Sequence, residues 1–493
     1  MPTTPVVRGI FKEYLEIHEK HQKLYGDKSV VFMQVGSFYE IYAMRLESFK
    51  RGPNIDGICD ILNIQVTRKK KDDPHSSSNP LMAGVPDHSY LKFRNILLDN
   101  GYTIVRVDQL TAGPKSERDV VDVASAGTVI DHDNGSDANF LVSIYITVCP
   151  APENQKIYCV GFSAIDIATA NNYVHFVKST VHDQQQWSDE VYKLLHNYNP
   201  REILIHYEEN ELSLHVSELC HRWNISELTT HMNPLKDSRF AKVSYQNDYY
   251  QKIYPQSGLL TPLEYLGFEM SPEIALSHIY MIDYIYQHKI ENVREIKKPI
   301  HHEPEQHLSL SYNCMYQLYL IDTKEHTSEK YSSLLSLLNR CKTAIGRRLC
   351  KSRLLNPIID VDTLNQRYTE IEMFQKLYEG DRLYSHLLPS LAQIIDIENA
   401  YRKMGVGILH PYDFSRIHCS YHYLFEIIDV MRYGYPEYLN PYEDMIQSLI
   451  QYRETYEDIF DMSELEKYQL TNMSTAVFQY NQYPEIDELA QDL

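Results

Sequence analysis

Residues 29–42 read SVVFMQVGSFYEIY, and this stretch decides how the N-terminal part of the chain is organised. Its β-branched and aromatic run, Val30–Met33, predicts a strand that Gly36-Ser37 interrupts. We expect a helix to open at Phe38 and to run from about Glu40 to Phe49. Such a strand-to-helix corner presents an aromatic ring and a carboxylate from a rigid base. The same pattern also suits a plain core contact in which Glu40 caps the helix.

The flanking sequence predicts a mixed α/β arrangement. We expect an amphipathic helix over residues 8–25, a segment with strand character from Ile58 to Val66, an exposed loop at 72–80, a helix from about Ser89 to Asn100 closed by Gly101, and strands at 102–107 and 120–130. The first domain therefore spans residues 1–131.

Two further domains are predicted beyond the linker at residues 131–137. Strands at 140–148, 156–166, 172–176 and 202–206, with helices at 188–196 and 212–222, make an alternating α/β domain over 137–255. Pro255-Gln256-Ser257-Gly258 is the second boundary. Long helical stretches follow, so residues 258–493 are predicted to be all-α. The fold class is multidomain α+β.

Composition and charge restrict the possible functions. The 493 residues include eight cysteines without a CxxC pair, and there is neither a signal peptide nor an apolar run of 18 residues. These features indicate an intracellular protein with reduced thiols. The net charge is −20, yet residues 1–131 contain 17 basic and 17 acidic residues. We therefore expect any polyanion contact in this neutral part, where Arg68–Lys71 is the densest basic run. A short basic run is also typical of a solvated loop.

No motif in the sequence predicts an active site. Gly52-Pro53-Asn54 is not followed by the Gly-Lys-Ser/Thr of a phosphate-binding loop. His301-His302-Glu303 and His307 lack a metal-ligand spacing and fit a surface linker. A nuclease would need clustered carboxylates on adjacent strands, and among the acidic residues of 140–206 only Asp166 is a convincing candidate.

Several motifs, in the same order along the chain, resemble the MutS family of DNA mismatch-recognition proteins. They are Gly36-Ser37-Phe38-Tyr39-Glu40, Leu81–His88, the closing strands with Gln109 and Ala126-Gly127-Thr128, Ile165–Ala170, the helical segment Leu337–Leu349 with Pro357 and Arg367, and Tyr483–Leu489. Ser37 replaces the family's usual Asp, and Gln317–Leu320 departs from its Asn-Leu-Glu-Leu.

The resemblance implies a mismatch-recognition domain, an RNase H-like connector and a helical core. It implies that Phe38 inserts at a mispair and that Glu40 hydrogen-bonds the displaced base. Tyr39 would pack or contact the groove, and Arg68, Lys69, Lys70 and Lys71 would hold phosphates beside the wedge. The implied partners are duplex DNA with mispairs or small loops, a second subunit, and a downstream repair factor at the connector.

The chain ends at Leu493, where the resemblance places the start of the clamp helix. We expect no ATPase in these residues, and ATP and Mg²⁺ only in a further domain of the family. Two interpretations stay open: the N-terminal portion of a longer MutS-like protein, or a naturally short regulatory, partner-binding form.

Overall fold

The protein divides into two compact units, residues 1–134 with 139–301 and residues 135–138 with 302–493. The computed structural model describes residues 9–46, 49–68, 70, 73–76, 79–111, 116–130, 138–151, 156–183, 185–207, 216–226, 228–234, 239–301, 307–308, 310, 312–320, 331–468, 477–479 and 482–491. Within these ranges, no helix is both long enough and apolar enough to cross a bilayer.

The first unit begins with a sheet that has helices on both faces. Its elements are α1 (Ile10–Tyr25), β1 (Ser29–Val35), β2 (Phe38–Leu46), β3 (Phe49–Arg51), α2 (Ile55–Leu62), β4 (Thr67–Arg68), β5 (Leu81–Pro86), α3 (Tyr90–Asp99), β6 (Thr103–Gln109) and β7 (Arg118–Ala124). The strand order is β4-β5-β2-β1-β6-β7, and β3 pairs with β2. Only the β1–β6 pair is parallel among these described strands.

Aromatic side chains fill both faces of this first sheet. On one face, the Tyr42 ring of β2 packs edge-on against Tyr14 of α1, with 5.3 Å between ring centroids. On the other face, Tyr90 of α3 packs against Phe32 of β1 and Tyr39 of β2, at 5.6 and 4.7 Å. Neighbouring residues of β2 point to opposite faces, so covering both faces buries nearly the whole strand.

The prediction of a helix from Glu40 to Phe49 is wrong, because Phe38–Leu46 is a strand. Val35 pairs with Phe38, so Gly36-Ser37 forms a two-residue hairpin loop. Gly36 has φ +63°, and a glycine at the first loop position suits a type II′ turn. Ile41, Tyr42, Ala43 and Met44 are all buried. Burial on both faces removes the polar–apolar alternation that would have identified the strand.

The predicted strand character of Ile58–Val66 is also wrong for most of its length, because Ile55–Leu62 is helical. The Asn54 side chain accepts a hydrogen bond from the Gly57 backbone N–H and caps this helix. Its buried residues are Ile55, Ile58, Cys59 and Leu62, which is the spacing of one helical face. The predicted helices and strands at 8–25, 89–100 and 102–107 are confirmed, and Gly101 lies at φ +74° beyond α3.

A second sheet completes the first unit. It contains β8 (Phe140–Pro150), β9 (Lys156–Asp166), β10 (Asn171–Lys178), β11 (Glu202–Tyr207), β12 (Thr229–Pro234) and β13 (Ile300–His301), in the order β12-β11-β8-β9-β10-β13. Its helices are α4 (Gln186–Tyr198), Val216–Arg222, Val243–Ile253, Pro262–Leu266 and Pro272–His288. We call the last of these the backing helix. The four strands predicted in this region are confirmed, while the linker at 131–137 lies outside the described residues.

The backing helix packs closely on one face of the second sheet. The large apolar residues of β8 and β9, such as Ile144 and Phe162, form the core on the α4 face. Gly161 and Ser163 of β9 meet the backing helix, and the Ser277 hydroxyl donates to Ser163 Oγ at 2.7 Å. Residues 258–301 therefore belong to the first compact unit, whereas the sequence boundary at 255–258 assigns them to the third domain.

Over its described residues, the second unit consists of helices and a small hairpin of Leu377–Tyr378 with Asp381–Arg382. Its described helices are Tyr312–Gln317, Leu334–Leu338, Ala344–Leu355, Val361–Phe374, Leu383–Leu391, Ile397–Gly405, Pro411–Gly434, Pro436–Leu439, Glu443–Glu457, Met462–Lys467 and Pro484–Gln491. The helix Pro411–Gly434 contributes Ile428 and Met431 to one apolar cluster and Ile417 to another.

We expect Gly161→Ala to destabilise the first unit severely. A Cβ at Gly161 would lie 1.9 Å from the Glu273 backbone oxygen at the start of the backing helix, so the helix would have to move. Overpacking of this kind lowers the free energy of unfolding by about 1–3 kcal/mol and sometimes by more. We expect Gly161→Ala to lie at the upper end of this range when unfolding is measured with a chemical denaturant. Gly57→Ala is the control, because there the contact is the movable end of the Asn54 side chain. Equal stabilities for the two variants would contradict this packing.

Candidate nucleic-acid interface

Phe38 and Glu40 lie on one face of β2, and Tyr39 lies on the other. Phe38 pairs with Val35 and Pro86, and Glu40 pairs with Met33 and Gly84. Phe38 is 46% exposed, whereas Tyr39 is 3% exposed. The hairpin therefore places an aromatic side chain at the surface, two residues from a half-buried carboxylate on the same face.

The hairpin loop is tied to the adjacent end of β6 by a glutamine. Gln109 Oε1 accepts from the Gly36 backbone N–H at 3.1 Å, and the Gln109 N–H donates to Gln34 Oε1 at 2.9 Å. Gln109 Nε2 donates to Ser116 Oγ at 3.0 Å. Arg118 Nε also donates to the Gln34 backbone oxygen, at 3.2 Å. We call Gln109 and Gln34 the amide clasp, because together they restrain the turn that precedes Phe38.

Tyr39 anchors the hairpin from beneath. Its hydroxyl donates to Asp108 Oδ1 at 2.6 Å and accepts from Arg106 Nε at 2.9 Å, while Arg106 Nη2 lies 2.7 Å from Asp108 Oδ2. Burial, together with the hydrogen bond to Asp108, raises the pKa of Tyr39 to about 12. The phenol thus stays protonated at neutral pH as the donor in this triad. Of the two roles predicted for Tyr39, this geometry fits packing.

Glu40 has one oxygen engaged inside the protein. The Tyr42 hydroxyl donates to Glu40 Oε2, and burial and this bond raise the pKa of Tyr42. Within the described residues, no hydrogen bond to the other oxygen, Oε1, is found. Gly84 lies directly across from Glu40 on β5, and a Cβ there would meet Glu40 Cγ at 3.4 Å, an ordinary van der Waals contact. Glu40 can therefore accept a hydrogen bond from a ligand on this face.

The basic run begins on β4 and continues into a loop organised by Asn79. Asn79 is buried, and its Nδ2 donates to the backbone oxygens of Lys70 and Asp73 at 2.8 and 3.1 Å. Arg68 Nη1 donates to the Asp73 oxygen at 3.0 Å. Lys70 Nζ is exposed, 3.4 Å from Asp73 Oδ2. Lys69 and Lys71 lie outside the described residues.

The described part of the basic run is not beside Phe38. Arg68 pairs with Leu81 of β5, whereas Phe38 pairs with Pro86 at the other end of that strand. Five residues along the strand and two strand spacings across the sheet separate Arg68 from Phe38 by roughly 20 Å. That span corresponds to about six base pairs of duplex.

The other candidate sites are structural. Asp166 is buried, and its carboxylate accepts from the backbone N–H of Asn139 and the hydroxyl of Thr169 at 3.0 and 2.8 Å. His301 Nε2 bonds the Leu266 backbone oxygen at 2.8 Å, and His307 Nδ1 bonds that of Asn356 at 3.1 Å. Over the described residues, no group of three or more His, Cys, Asp or Glu side chains could hold a metal ion.

Sequence reasoning missed the supporting residues of this face. Gln109 and Gly84 are noted only as parts of motifs, and Asn79 is predicted only as one residue of an exposed loop. The two-residue Gly-Ser interruption was the available signal, because it predicts a hairpin and so an alternating strand after Phe38.

Two protein-family models match the chain, MutS domain I over residues 8–133 and MutS domain III over residues 313–484. A DNA mismatch repair protein mutS homolog of Acanthamoeba polyphaga mimivirus is 29% identical over 486 residues, which cover 91% of this chain and 42% of that relative. The DNA mismatch repair protein MutS of Streptococcus agalactiae is 25% identical, covering 84% and 41%. That of Alkaliphilus metalliredigens is 25% identical, covering 97% and 50%. The chain thus spans half or less of the length of these relatives.

We expect Gln109→Ala to loosen the hairpin without unfolding the sheet. The substitution removes the acceptor of the Gly36 N–H, and a hydrogen bond of this kind contributes about 0.5–1.5 kcal/mol. Amide hydrogen exchange at residues 34–38 should therefore accelerate about 2- to 12-fold. Gln22→Ala, which removes an exposed bond to Asp27 on α1, is the control. Unchanged exchange at the hairpin would show that the clasp does not restrain it.

Proposed function

We propose that this chain, which belongs to the MutS family of DNA mismatch-repair proteins, recognises mispaired duplex DNA through the hairpin that carries Phe38. The observation that carries the proposal is a half-exposed aromatic ring on a restrained turn, with a carboxylate two residues away on the same face. This hairpin lies inside the segment that matches MutS domain I.

Phe38 would act as an apolar wedge. Insertion between base steps costs a few kcal/mol of unstacking, and the cost is smallest where base pairing is already defective. A wedge thus discriminates by the deformability of the duplex, and it does not need to read the base sequence. The amide clasp and the Tyr39 triad support this role. On a flexible turn, part of the binding free energy would be lost in ordering the turn when the ring inserts.

Glu40 would contribute a directional contact beside the wedge. A carboxylate near polyanionic DNA is unfavourable unless it gains a specific hydrogen bond. Because the Tyr42 hydroxyl binds Oε2, we assign the other oxygen, Oε1, to a base N–H.

The loop after β4 would hold the phosphate backbone about six base pairs from the wedge. Phosphate contacts position a duplex and carry no sequence information. Lys70 has an exposed ammonium on a loop that Asn79 keeps in shape, and Arg68 precedes it. We assign these two residues, together with Lys69 and Lys71, to affinity and register. Dimerisation and a downstream partner stay predictions from the resemblance.

We expect Phe38→Ala to abolish the preference for mispaired over matched duplex. Loss of an aromatic ring that stacks on a base costs about 1–3 kcal/mol, or roughly 5- to 150-fold in affinity. We expect this loss in the affinity for the mispaired duplex and no loss in the affinity for the matched duplex. Fluorescence anisotropy at fixed salt with both duplexes measures this ratio.

Phe176→Ala is a matched control for this experiment. Phe176 lies on β10 of the second sheet and is also 46% exposed, so its removal deletes the same ring from a different surface. The control should keep the preference of the wild type. Equal affinity of the wild-type chain for the two duplexes would overturn the proposed function, and an unchanged ratio in Phe38→Ala would overturn the role of the wedge.

We expect Lys70→Ala to weaken binding to matched and mispaired duplexes equally. Each phosphate that a protein neutralises adds about 0.9 to the slope of log affinity against log salt. The substitution should thus lower this slope by about 0.9 while leaving the ratio of the two affinities unchanged. Lys178→Ala, an exposed lysine of the second sheet, is the control. A changed ratio in Lys70→Ala would instead place this lysine at the mispair.

A further inference from the structure

A turn at the end of β7 meets the buried start of β11, and this contact joins the two sheets of the first unit. The turn is Ser125-Ala126-Gly127-Thr128, closed by a hydrogen bond from the Thr128 N–H to the Ser125 oxygen at 3.1 Å. Glu202 is the first residue of β11 and is 0% exposed. The turn includes Ala126-Gly127-Thr128, one of the motifs that resemble the MutS family. Recognition by the Phe38 wedge assigns this motif no role.

Four donors surround the Glu202 carboxylate. Oε2 accepts from Ser125 Oγ at 2.6 Å and from the Gly127 backbone N–H at 2.9 Å. Oε1 accepts from His231 Nε2 and from the Tyr284 hydroxyl, both at 2.7 Å. One oxygen thus binds the end of the first sheet, and the other binds β12 and the backing helix. Burial alone would raise the pKa of Glu202, but hydrogen bonds from His231 and Ser125 outweigh it and lower the pKa to about 2.

The turn has no room to shift on this carboxylate. A Cβ at Gly127 would lie 2.8 Å from Glu202 Cβ, so the residue must be glycine for the two backbones to approach. Further hydrogen bonds hold the chain that leaves the turn. Asn292 Nδ2 donates to the Thr128 oxygen at 2.8 Å, and Asn139 Nδ2 donates to the Val129 oxygen at 3.0 Å.

We propose that Glu202 is a positioning residue that fixes the first sheet, which carries Phe38, in one orientation on the second sheet. A tilt of the first sheet would strip Ser125 and Gly127 from Oε2 and leave one oxygen of a buried charge without its donors, which costs more than a lost surface hydrogen bond. We call this contact between the Ser125–Thr128 turn and Glu202 the joint, and it resists small rotations of the first sheet. Its consequence for DNA rests on the proposed function: the joint sets where the wedge points relative to the rest of the chain.

The joint is tested by the distance between the two sheets. Pulsed electron–electron double resonance measures this distance between two spin labels. The labels are attached to genetically encoded ketone amino acids that replace Lys92 of α3 and Lys178 of β10, both of which are exposed. We expect a narrow distance distribution in the wild type. In Gly127→Ala and Glu202→Gln, that narrow distribution should be lost while far-ultraviolet circular dichroism stays unchanged. A narrow, unshifted distribution in Gly127→Ala would overturn the proposal.

Matched variants separate the joint from a general loss of packing. Tyr284→Phe removes one donor to Glu202, whereas Tyr286→Phe removes a hydroxyl from an exposed ring on the same helix. Broadening should appear in the first variant only. Where Gly127→Ala or Glu202→Gln does not fold, this pair and Ser125→Ala decide the outcome. Equal distributions in all three would overturn the joint.

Two further readouts connect the joint to pH and to DNA. Within the described residues, the titratable groups that interact with Glu202 include His231, His288, Tyr284 and Tyr25, and His21 interacts with His288. Because the folded pKa of Glu202 lies below its usual value, its stabilisation is present above about pH 4.5 and is lost as the pH falls towards 2. The stability difference between wild type and Glu202→Gln should shrink over that range, and a constant difference would contradict a buried charged joint.

In DNA binding, Gly127→Ala should reduce the mismatch preference by about 2- to 30-fold, the range for residues that couple two sites. If the wild type shows no preference for mispaired over matched duplex, the proposed function is overturned. The distances between the spin labels then still decide whether the joint exists. If Gly127→Ala broadens the distance distribution but leaves the preference for mispaired duplex unchanged, the joint is supported and its role in recognition is overturned.

Discussion

The candidate site depends on the two-residue turn at Gly36-Ser37. Because side chains alternate along a strand, the pairing of Val35 with Phe38 decides which face each later residue of β2 occupies. A turn longer by one residue would exchange Phe38 and Glu40 with Tyr39, which would bury the ring and the carboxylate and expose the anchoring phenol. The amide clasp stabilises the arrangement at this point of the sheet, where a slip would do the most damage.

Much of the fold could be predicted from the sequence, and the failures have physical causes. Four of the six described strands of the second sheet were predicted because β-branched runs such as Phe140–Val148 end at turn residues, whereas β12 and β13 were not predicted. β2 was missed because both of its faces are buried, so its pattern does not alternate. The helix Ile55–Leu62 was missed because its capping residue, Asn54, was read as part of a loop.

The candidate site was predictable in its residue types but not in its layout. A short sequence can indicate an aromatic residue and a carboxylate that share a surface. The distance from Phe38 to Arg68 depends on how β4 and β5 pair, and pairing between distant segments is set by tertiary packing. For the same reason, neither the clasp by Gln109 nor the four donors around Glu202 could be foreseen, since each joins residues at least 29 positions apart or brings together separate elements.

The contact between Gly161 and Glu273 has a mechanical consequence. Packed elements usually slide over one another because the side chains between them can change rotamer, and that layer absorbs small displacements. Here two backbones touch directly, with no such layer at the start of the backing helix. The opposite end of this helix brings His288 against the Tyr25 ring of α1, at 4.9 Å between ring centroids. The start of the helix therefore cannot slide over the second sheet without moving backbone, whereas its contact with α1 runs through two side chains that can change rotamer.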